Sequence, residues 1–473
     1  MHEGIDMRAA GSTQDRYDAV VVGDGINGAV AAAELAGHGW SVALAPGLEP
    51  DGPAALIGAT APGFVHDVPS LWHALFRAGP SWPELGPDLQ RFGLQYLVAE
   101  GPATAVVGEA GVVLGHRDPG DLADDMPDPH QRATYRAAAQ RTRAVAPRLV
   151  ESHGAGLSAG QLLHEGPACP PPADLLPPAE ACAAGRPSAR LWGPLLARVG
   201  VSSRHPRARL VTPMLAHVVH DVGLPVVRGG ADCFLAALDA LLDDRRVERV
   251  PGPLERVEVD GERAVAVHVG GRRLEAVGSV IGALDATTLT GLLDARRPPT
   301  TTPTDGPGRG TSPQPRSGRS ASVEVHLALA RPLAWCEPAL DAVPLVHVER
   351  EDGPCVAVSQ PSVLDPTRAP AGAATAWVSV PLPGTADPRS VPDPAEIERA
   401  TASALDAVGC HVPRLRASVV GCRTVPTPAP APPDPALVAD YRPLPSWRPG
   451  AGGAFATGTS GLYHVGAYRL PRP

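Results

Sequence analysis

"YDAVVVGDGINGAVAAAELAGHGWSVALAPG", residues 17–47, decides the fold. "DAVVVG" is a short Val-rich run, as expected of a strand buried on both faces. "NGAVAAAELAGHG" is alanine-rich and stops at glycine, which predicts a helix with its C-terminal signal. "WSVALA" predicts a second strand, so the stretch reads as βαβ with the helix as crossover. Between the first strand and the helix, Gly23, Gly25 and Gly28 form G-x-G-x-x-G. Gly23 permits the tight turn, Gly25 lets the backbone approach a pyrophosphate, and Gly28 lets the helix pack close to the strand. The helix N-terminus then offers N–H groups and the positive end of its dipole to the anion. The competing reading is a glycine-rich α/β turn that binds nothing. A dinucleotide unit also places Asp or Glu at the end of its second strand to hold the ribose hydroxyls. Here that place is Pro46, and Glu49 and Asp51 follow in what reads as a solvated loop.

Outward from this stretch, 473 residues suit two or three domains with buried cores. Hydrophobic residues make up 44 % and charged residues 19 %, which fits a globular chain. Fifty-six prolines and 51 glycines require a large share of loop. The chain has no lysine, read as base composition of the coding DNA. A net charge of −9 argues against a nucleic-acid surface, which needs a basic field. Seven scattered cysteines without C-x-x-C suggest neither a disulfide framework nor a zinc site, and fit a reducing cytoplasm. The start, "MHEGIDMRAAGSTQDR", has no apolar core of a signal peptide, and no run of eighteen apolar residues predicts a membrane span.

Residues 70–212 read as mostly helical, with "DPHQRATYRAAAQRTRAVAPRLV" a helix and "PACPPPADLLPPAEACAAGRP" a loop holding Cys169 and Cys182. "SARLWGPLLARVG" puts Leu191, Leu195 and Val199 on one face. It reads as a packed amphipathic helix, with an interfacial membrane helix as the alternative. "LERVEVDGERAVAVHVGGRRLEAVGSVIGALDA" predicts two or three strands joined at Asp-Gly and Gly-Gly turns. Residues 296–320 lack any apolar face and read as a disordered linker. "ASVEVHLAL" and "AATAWVSVPLP" alternate as strands, and "DPAEIERATASALDAVG" predicts a helix capped by Asp393. Trp72, His73, Phe76 and Trp82 form an aromatic group that suits either core packing or an apolar substrate tunnel. His217 and His220 in "HVVH" share a helical face, but no third metal ligand is evident, so no metal site is expected.

The chain resembles the FAD-dependent oxidoreductases of the phytoene desaturase-like group, within the amine oxidase-like flavoproteins. The resemblance runs through residues 17–42, then "PGFVHDVPSLWH" with Asp67, Ser70 and His73, then "RFGLQYL" and "HRDPGDLADDM". It continues in "GLPVVRGGADCFLAALDALL" with Pro225, Gly229 and Gly230, in "LERVEVDGERAVAVHV", "QPSVLDPTRAPAG" and "SGLYHVGA".

The resemblance implies an α/β fold: an FAD/NAD(P)-binding Rossmann-type domain built from separated segments, with an inserted α+β substrate domain. The segments would be 15–70, 213–295 and 446–473 for FAD, and 71–212 and 321–445 for substrate. It implies FAD as cofactor, held at Gly23, Gly25 and Gly28, with the backbone near Val257 at the adenine and Gly466 and Ala467 at the flavin. It implies desaturation or dehydrogenation of an apolar, isoprenoid-like small molecule in the cytoplasm, with a peripheral membrane contact left open; oligomeric state and catalytic residues are not assigned. A NAD(P)-dependent enzyme using the same turn is a weaker expectation. Three departures from the family pattern support an alternative, a non-catalytic relative that no longer binds FAD. Pro46 replaces the ribose acid, Gly52-Pro53 replaces a Gly-Gly pair, and the family's closing helix after "GLYHVGA" is missing before Pro473, which reads as a truncation.

Overall fold

The computed structural model describes residues 15–47, 55–67, 73–154, 187–198, 201, 203, 208–284, 286–293, 322–351, 353–382, 393–427 and 459–464. The expected linker at 296–320, Trp72, Val199, Cys169, Cys182, Glu49, Asp51, Gly52 and Pro53 lie outside these residues, as do Gly466 and Ala467. Two compact units divide the chain. One takes Met1–Asp51, Asp239–Thr304 and Phe455–Ala467; the other takes Gly52–Leu238, Asp305–Ala454 and Tyr468–Pro473.

The first unit is built on β1 (Arg16–Val22), α1 (Ile26–Gly37) and β2 (Val42–Ala45). β1 and β2 pair in parallel, Ala19 with Val42 through Val22 with Ala45, as the βαβ pattern requires. On its other side β1 pairs in parallel with the C-terminal half of the strand Arg272–Gly282, which also receives the short strand Leu462–His464 in parallel. Ala19 to Val22 are fully buried, which is why this strand reads as an unbroken apolar run. The strands Leu254–Asp260 and Arg263–Val269 extend the sheet antiparallel. The Gly270-Gly271 connection to Arg272–Gly282 needs positive φ at both residues (55° and 78°), the requirement of a tight two-residue hairpin.

The second unit contains a seven-stranded sheet. Its order is Val419–Thr427, Ser322–Leu329, Ala374–Pro381, Val356–Ser359, Leu345–Val348, Thr104–Gly108 and Gly111–Gly115. One face is apolar: Val323, Val325, Leu327, Val346, Val348, Val356 and Val358 form a core with Ala404 and Val408 of the helix Pro394–Gly409. The Asp393 carboxylate caps that helix by accepting from the Ala395 N–H at 3.2 Å. Alternation along the strands sends Glu324, His326, His347, Trp377 and Ser379 to the opposite face. The helices Pro129–Gly154 and Pro187–Arg198 belong to this unit. The apolar side of the latter, with Leu191, Trp192 and Leu195, is buried in a core shared with Val106, Leu345 and Trp377. Among the described residues no helix is long and apolar enough to cross a membrane.

The compact units divide at 51/52 and 238/239, so residues 52–67 and 213–238 belong to the second unit. Two pairings hold these residues there. Val226–Val227 pairs with Tyr96–Leu97, and Asp67 bonds to Arg368.

Candidate cofactor site at the glycine bend

The bend joining β1 to α1 is fixed by three backbone contacts. Gly23 donates its N–H to Ala45 O (3.0 Å), Ala283 donates to Val22 O (2.7 Å), and Ala29 opens the helix by donating to Gly25 O (3.0 Å). Gly23 sits at φ +100°, and a Cβ there would lie 2.8 Å from Ala283 O. A Cβ on Gly28 would lie 1.8 Å from Gly23 O. Both glycines are thus demanded by the protein's own packing, the turn and the helix–strand contact that the spacing predicts. Gly25 differs. As N-cap it adopts φ −62°, ψ 175°, extended backbone open to any residue.

α1 begins without a side-chain cap and without an acid in its first turn. Its first N–H groups and the positive end of its dipole therefore face outward from the bend, a donor set suited to an anion. Beside it, β2 ends at Ala45 and Pro46. Among the described residues, a carboxylate from within the glycine turn reaches this strand end: Asp24 Oδ1 accepts the Gly47 N–H at 3.0 Å, and the Asp24 side chain is exposed. The sequence pattern singles out Pro46 but passes over Asp24, whose position in G-D-G gives no sign that it bonds beyond the second strand.

Val257 is fully buried, and its N–H is donated to Leu292 O at 2.7 Å. Near it, Glu258 is held at about pKa 2 by hydrogen bonds from Arg273 and His268. Asp18, which receives the backbone N–H and hydroxyl of Ser41, is also lowered. These two acids brace neighbouring strands.

Other flagged residues fall in the second unit. His73 Nδ1 is hydrogen-bonded to Tyr96 OH (2.9 Å), and its ring lies edge-on to Phe234 at 4.7 Å. Phe76, Trp82 and Tyr96 complete the aromatic group, with the Arg77 guanidinium 4.3 Å from the Trp82 ring centre. Burial lowers His73 to about pKa 4, so its ring is neutral at ordinary pH. Among the described residues no group of three or more His, Cys, Asp or Glu is gathered to hold a metal ion.

Among the described residues, Arg368, Asp67 and Asp365 form a fully buried cluster of charge to which the sequence pattern gives no role. Arg368, with no exposed surface, donates from Nη1 to Asp67 Oδ2 (2.8 Å), from Nε to Asp365 Oδ2 (3.1 Å) and from Nη2 to Val227 O (2.6 Å). Asp67 also accepts the Ala231 N–H (2.7 Å), and Asp365 accepts the Gly229 N–H (2.7 Å). Burial pushes the Asp67 carboxyl upward, while Arg368 and the Ala231 N–H pull it down. Three of the stretches quoted for the family resemblance, around Asp67, around Gly229-Gly230 and around Asp365, meet at this one guanidinium.

A parallel sheet carrying a glycine bend and an uncapped helix, with a second unit of mixed α+β structure, defines the FAD/NAD(P)-binding Rossmann-type class. Solved structures of oxidoreductases share this fold. An oxidoreductase from Methanosarcina mazei is 14 % identical, with TM-score 0.55, covering 95 % of this chain and 94 % of that one. Cyclohexylamine oxidase from Brevibacterium oxydans is 16 % identical, with TM-score 0.54 and coverages of 95 % and 92 %. Putrescine oxidase bound to putrescine is 15 % identical, with TM-score 0.52 and coverages of 95 % and 93 %. At such identities the likeness is one of fold. No protein-family model and no curated protein matches the sequence.

Proposed function

We propose that the chain is an FAD-dependent oxidoreductase, a desaturase or dehydrogenase of an apolar, isoprenoid-like substrate. The observation that carries this reading is the glycine bend. Gly23 and Gly28 are explained by packing, while Gly25 holds extended backbone angles open to any residue. A ligand lying against the chain at that point would account for a glycine there, and the uncapped start of α1 would supply the donors. The N–H groups of Gly25, Ile26 and Asn27 would hold the pyrophosphate. Asp24, reaching the end of β2, would accept from the ribose hydroxyls in place of the acid absent at Pro46. Because the Val257 N–H is engaged by Leu292 and Val257 forms a parallel bridge with Leu293, the adenine contact that the resemblance puts near it would fall on the neighbouring backbone. Gly466 and Ala467 are the residues that the family resemblance sets toward the flavin ring. When bound, the flavin supplies a two-electron acceptor; the chain positions substrate and excludes water. The apolar substrate rests on the resemblance carried by residues 62–73, 223–242 and 360–372.

The test is direct. Purified protein should carry a flavin absorbance band or take up added FAD in about one-to-one ratio at micromolar concentration. A second reading, a relative that no longer binds FAD, is favoured by Pro46 at the end of β2. Protein that stays colourless and leaves FAD fluorescence unquenched decides for it.

A further inference from the structure

The aromatic group of the second unit surrounds a cation. Arg77 lies in the last turn of the helix Ala74–Ala78. Its guanidinium carbon stands 4.3 Å from the Trp82 ring centre and 5.3 Å from that of Tyr96. Trp82 is fixed in turn. Phe76 and Tyr96 meet it edge-on at 5.8 and 5.5 Å. Gly86, inside the helix Ser81–Arg91, makes room for the indole, because a Cβ there would lie 2.7 Å from it. Glycine is unfavourable in a helix interior, and the space it leaves here is filled by the ring.

Ring faces attract a guanidinium, but they offer no lone pair to its N–H donors. Among the described residues no hydrogen bond or ion pair reaches the Arg77 guanidinium. Its Nε is buried without a partner, whereas Nη1 and Nη2, also unpartnered, keep accessible surface. Arg77, Trp82 and Tyr96 are each partly exposed. Burial lowers the Arg77 pKa, and no carboxylate opposes it. The Tyr96 hydroxyl supplies no anion, since burial raises its pKa and it is already bonded to His73 Nδ1 (2.9 Å). Other arginines of this unit differ. Arg190, also partly buried, donates to both oxygens of Glu349 (2.9 and 2.8 Å), and Arg368 holds two carboxylates. A desolvated cation is costly unless an anion meets it.

We propose that Arg77, Trp82 and Tyr96 form a receptor for a small molecule that carries one carboxylate on an apolar body. Nη1 and Nη2 are the accessible end of the guanidinium, and a fork of two N–H donors matches the two carboxylate oxygens. The rings give the apolar body a surface to lie against. One cation suits a monoanion. A phosphate dianion calls for a second, and among the described residues no other arginine lies over either ring. None of these residues belongs to the glycine bend, so the site stands whether or not FAD binds.

The experiment titrates benzoate into the full-length protein at constant ionic strength and follows saturation-transfer NMR and melting temperature. Benzamide serves as the neutral isostere and inorganic phosphate as the competitor. Benzoate should bind with a dissociation constant of about 1 mM or tighter. Benzamide should bind roughly tenfold more weakly, the worth of a charge-assisted pair. Arg77→Met keeps the apolar stem and removes the charge. It should bring benzoate down to the level of benzamide and leave benzamide unchanged. Benzoate should raise the melting temperature of the parent and leave that of Arg77→Met where it is. The proposal is overturned if benzoate shows no saturable binding at about 10 mM, if Arg77→Met binds benzoate as the parent does, or if phosphate displaces benzoate at equal concentration. Should Arg77→Met fail to fold, Arg77→Gln takes its place with the same two outcomes.

Discussion

The glycine bend of the first unit and the Arg368 knot of the second solve opposite problems. The bend's glycines lie within six positions of one another, its backbone is tied to Ala45 and Ala283, and its helix start has no side-chain cap. The knot gathers residues 301 positions apart and satisfies five donors on two buried carboxylates and a carbonyl. An unfilled donor set in a surface turn costs little because water reaches it, and it is ready for a ligand. A buried guanidinium has no such latitude and must be paired completely. The contrast separates a surface built to receive from an interior built to hold.

The largest effect should follow from breaking the knot. Arg368→Met leaves Asp67 and Asp365 buried without their cation and should cost about 3–5 kcal/mol, read from urea unfolding. A loss under about 1 kcal/mol would show that these carboxylates are solvated, and the contrast drawn above would collapse.

Gly28→Ala comes next. Its Cβ would meet the Gly23 carbonyl, which must shift, so a stability loss of about 1–3 kcal/mol is expected together with loss of FAD uptake. Unchanged stability would mean that α1 can slide freely, and that the bend is not set by packing.

A third test concerns pH, the buried imidazole of His326 on the polar face of the second unit's sheet, and that of His66, which packs against it. His66 and His326 meet edge-on at 5.4 Å, and both His326 nitrogens lack partners among the described residues. Burial lowers them to about pKa 3 and 4. In the unfolded chain they protonate near 6.5. Between those values the unfolded state binds more protons, so stability is complete above about pH 6.5 and falls as pH drops toward 4. His326→Phe should flatten this slope by on the order of 1–3 kcal/mol across that window, measured by thermal melts from pH 4 to 8. An unchanged slope would place the acid sensitivity elsewhere.

The smallest structural effect, with the sharpest functional reading, belongs to Asp24→Ala. An exposed side chain should shift stability by about 0.5 kcal/mol or less, yet FAD affinity should fall roughly tenfold if the carboxylate serves the ribose. Equal affinity would return that role to another group while leaving FAD binding itself intact.

The bend was legible because the residues that its constraints demand sit close together in the sequence, even where the contact itself, as with Ala283, is distant. A strand, a turn needing positive φ and a helix needing a small residue at Gly28 all leave marks within a dozen positions. The hairpins at Asp260-Gly261 and Gly270-Gly271 and the Asp393 cap were legible for the same reason. The knot was hidden because Asp67, Asp365 and Arg368 look like ordinary surface charges until the chain closes. The resemblance quoted their segments without revealing that they meet. Asp24 was overlooked because its bond to Gly47 spans the whole crossover. The pairing of Tyr96–Leu97 with Val226–Val227 was hidden too, because strands so far apart carry no mark of each other in sequence.

The 301-residue separation between Asp67 and Arg368 also sets a timetable for synthesis. A ribosome adding about 5–20 residues per second needs roughly 15–60 s to make that span. Throughout that interval the Asp67 carboxylate waits in water for a cation not yet made. The lock therefore closes late, after most of the polypeptide has emerged, and nascent chains stalled before residue 368 should be far more open to protease in this unit than finished ones.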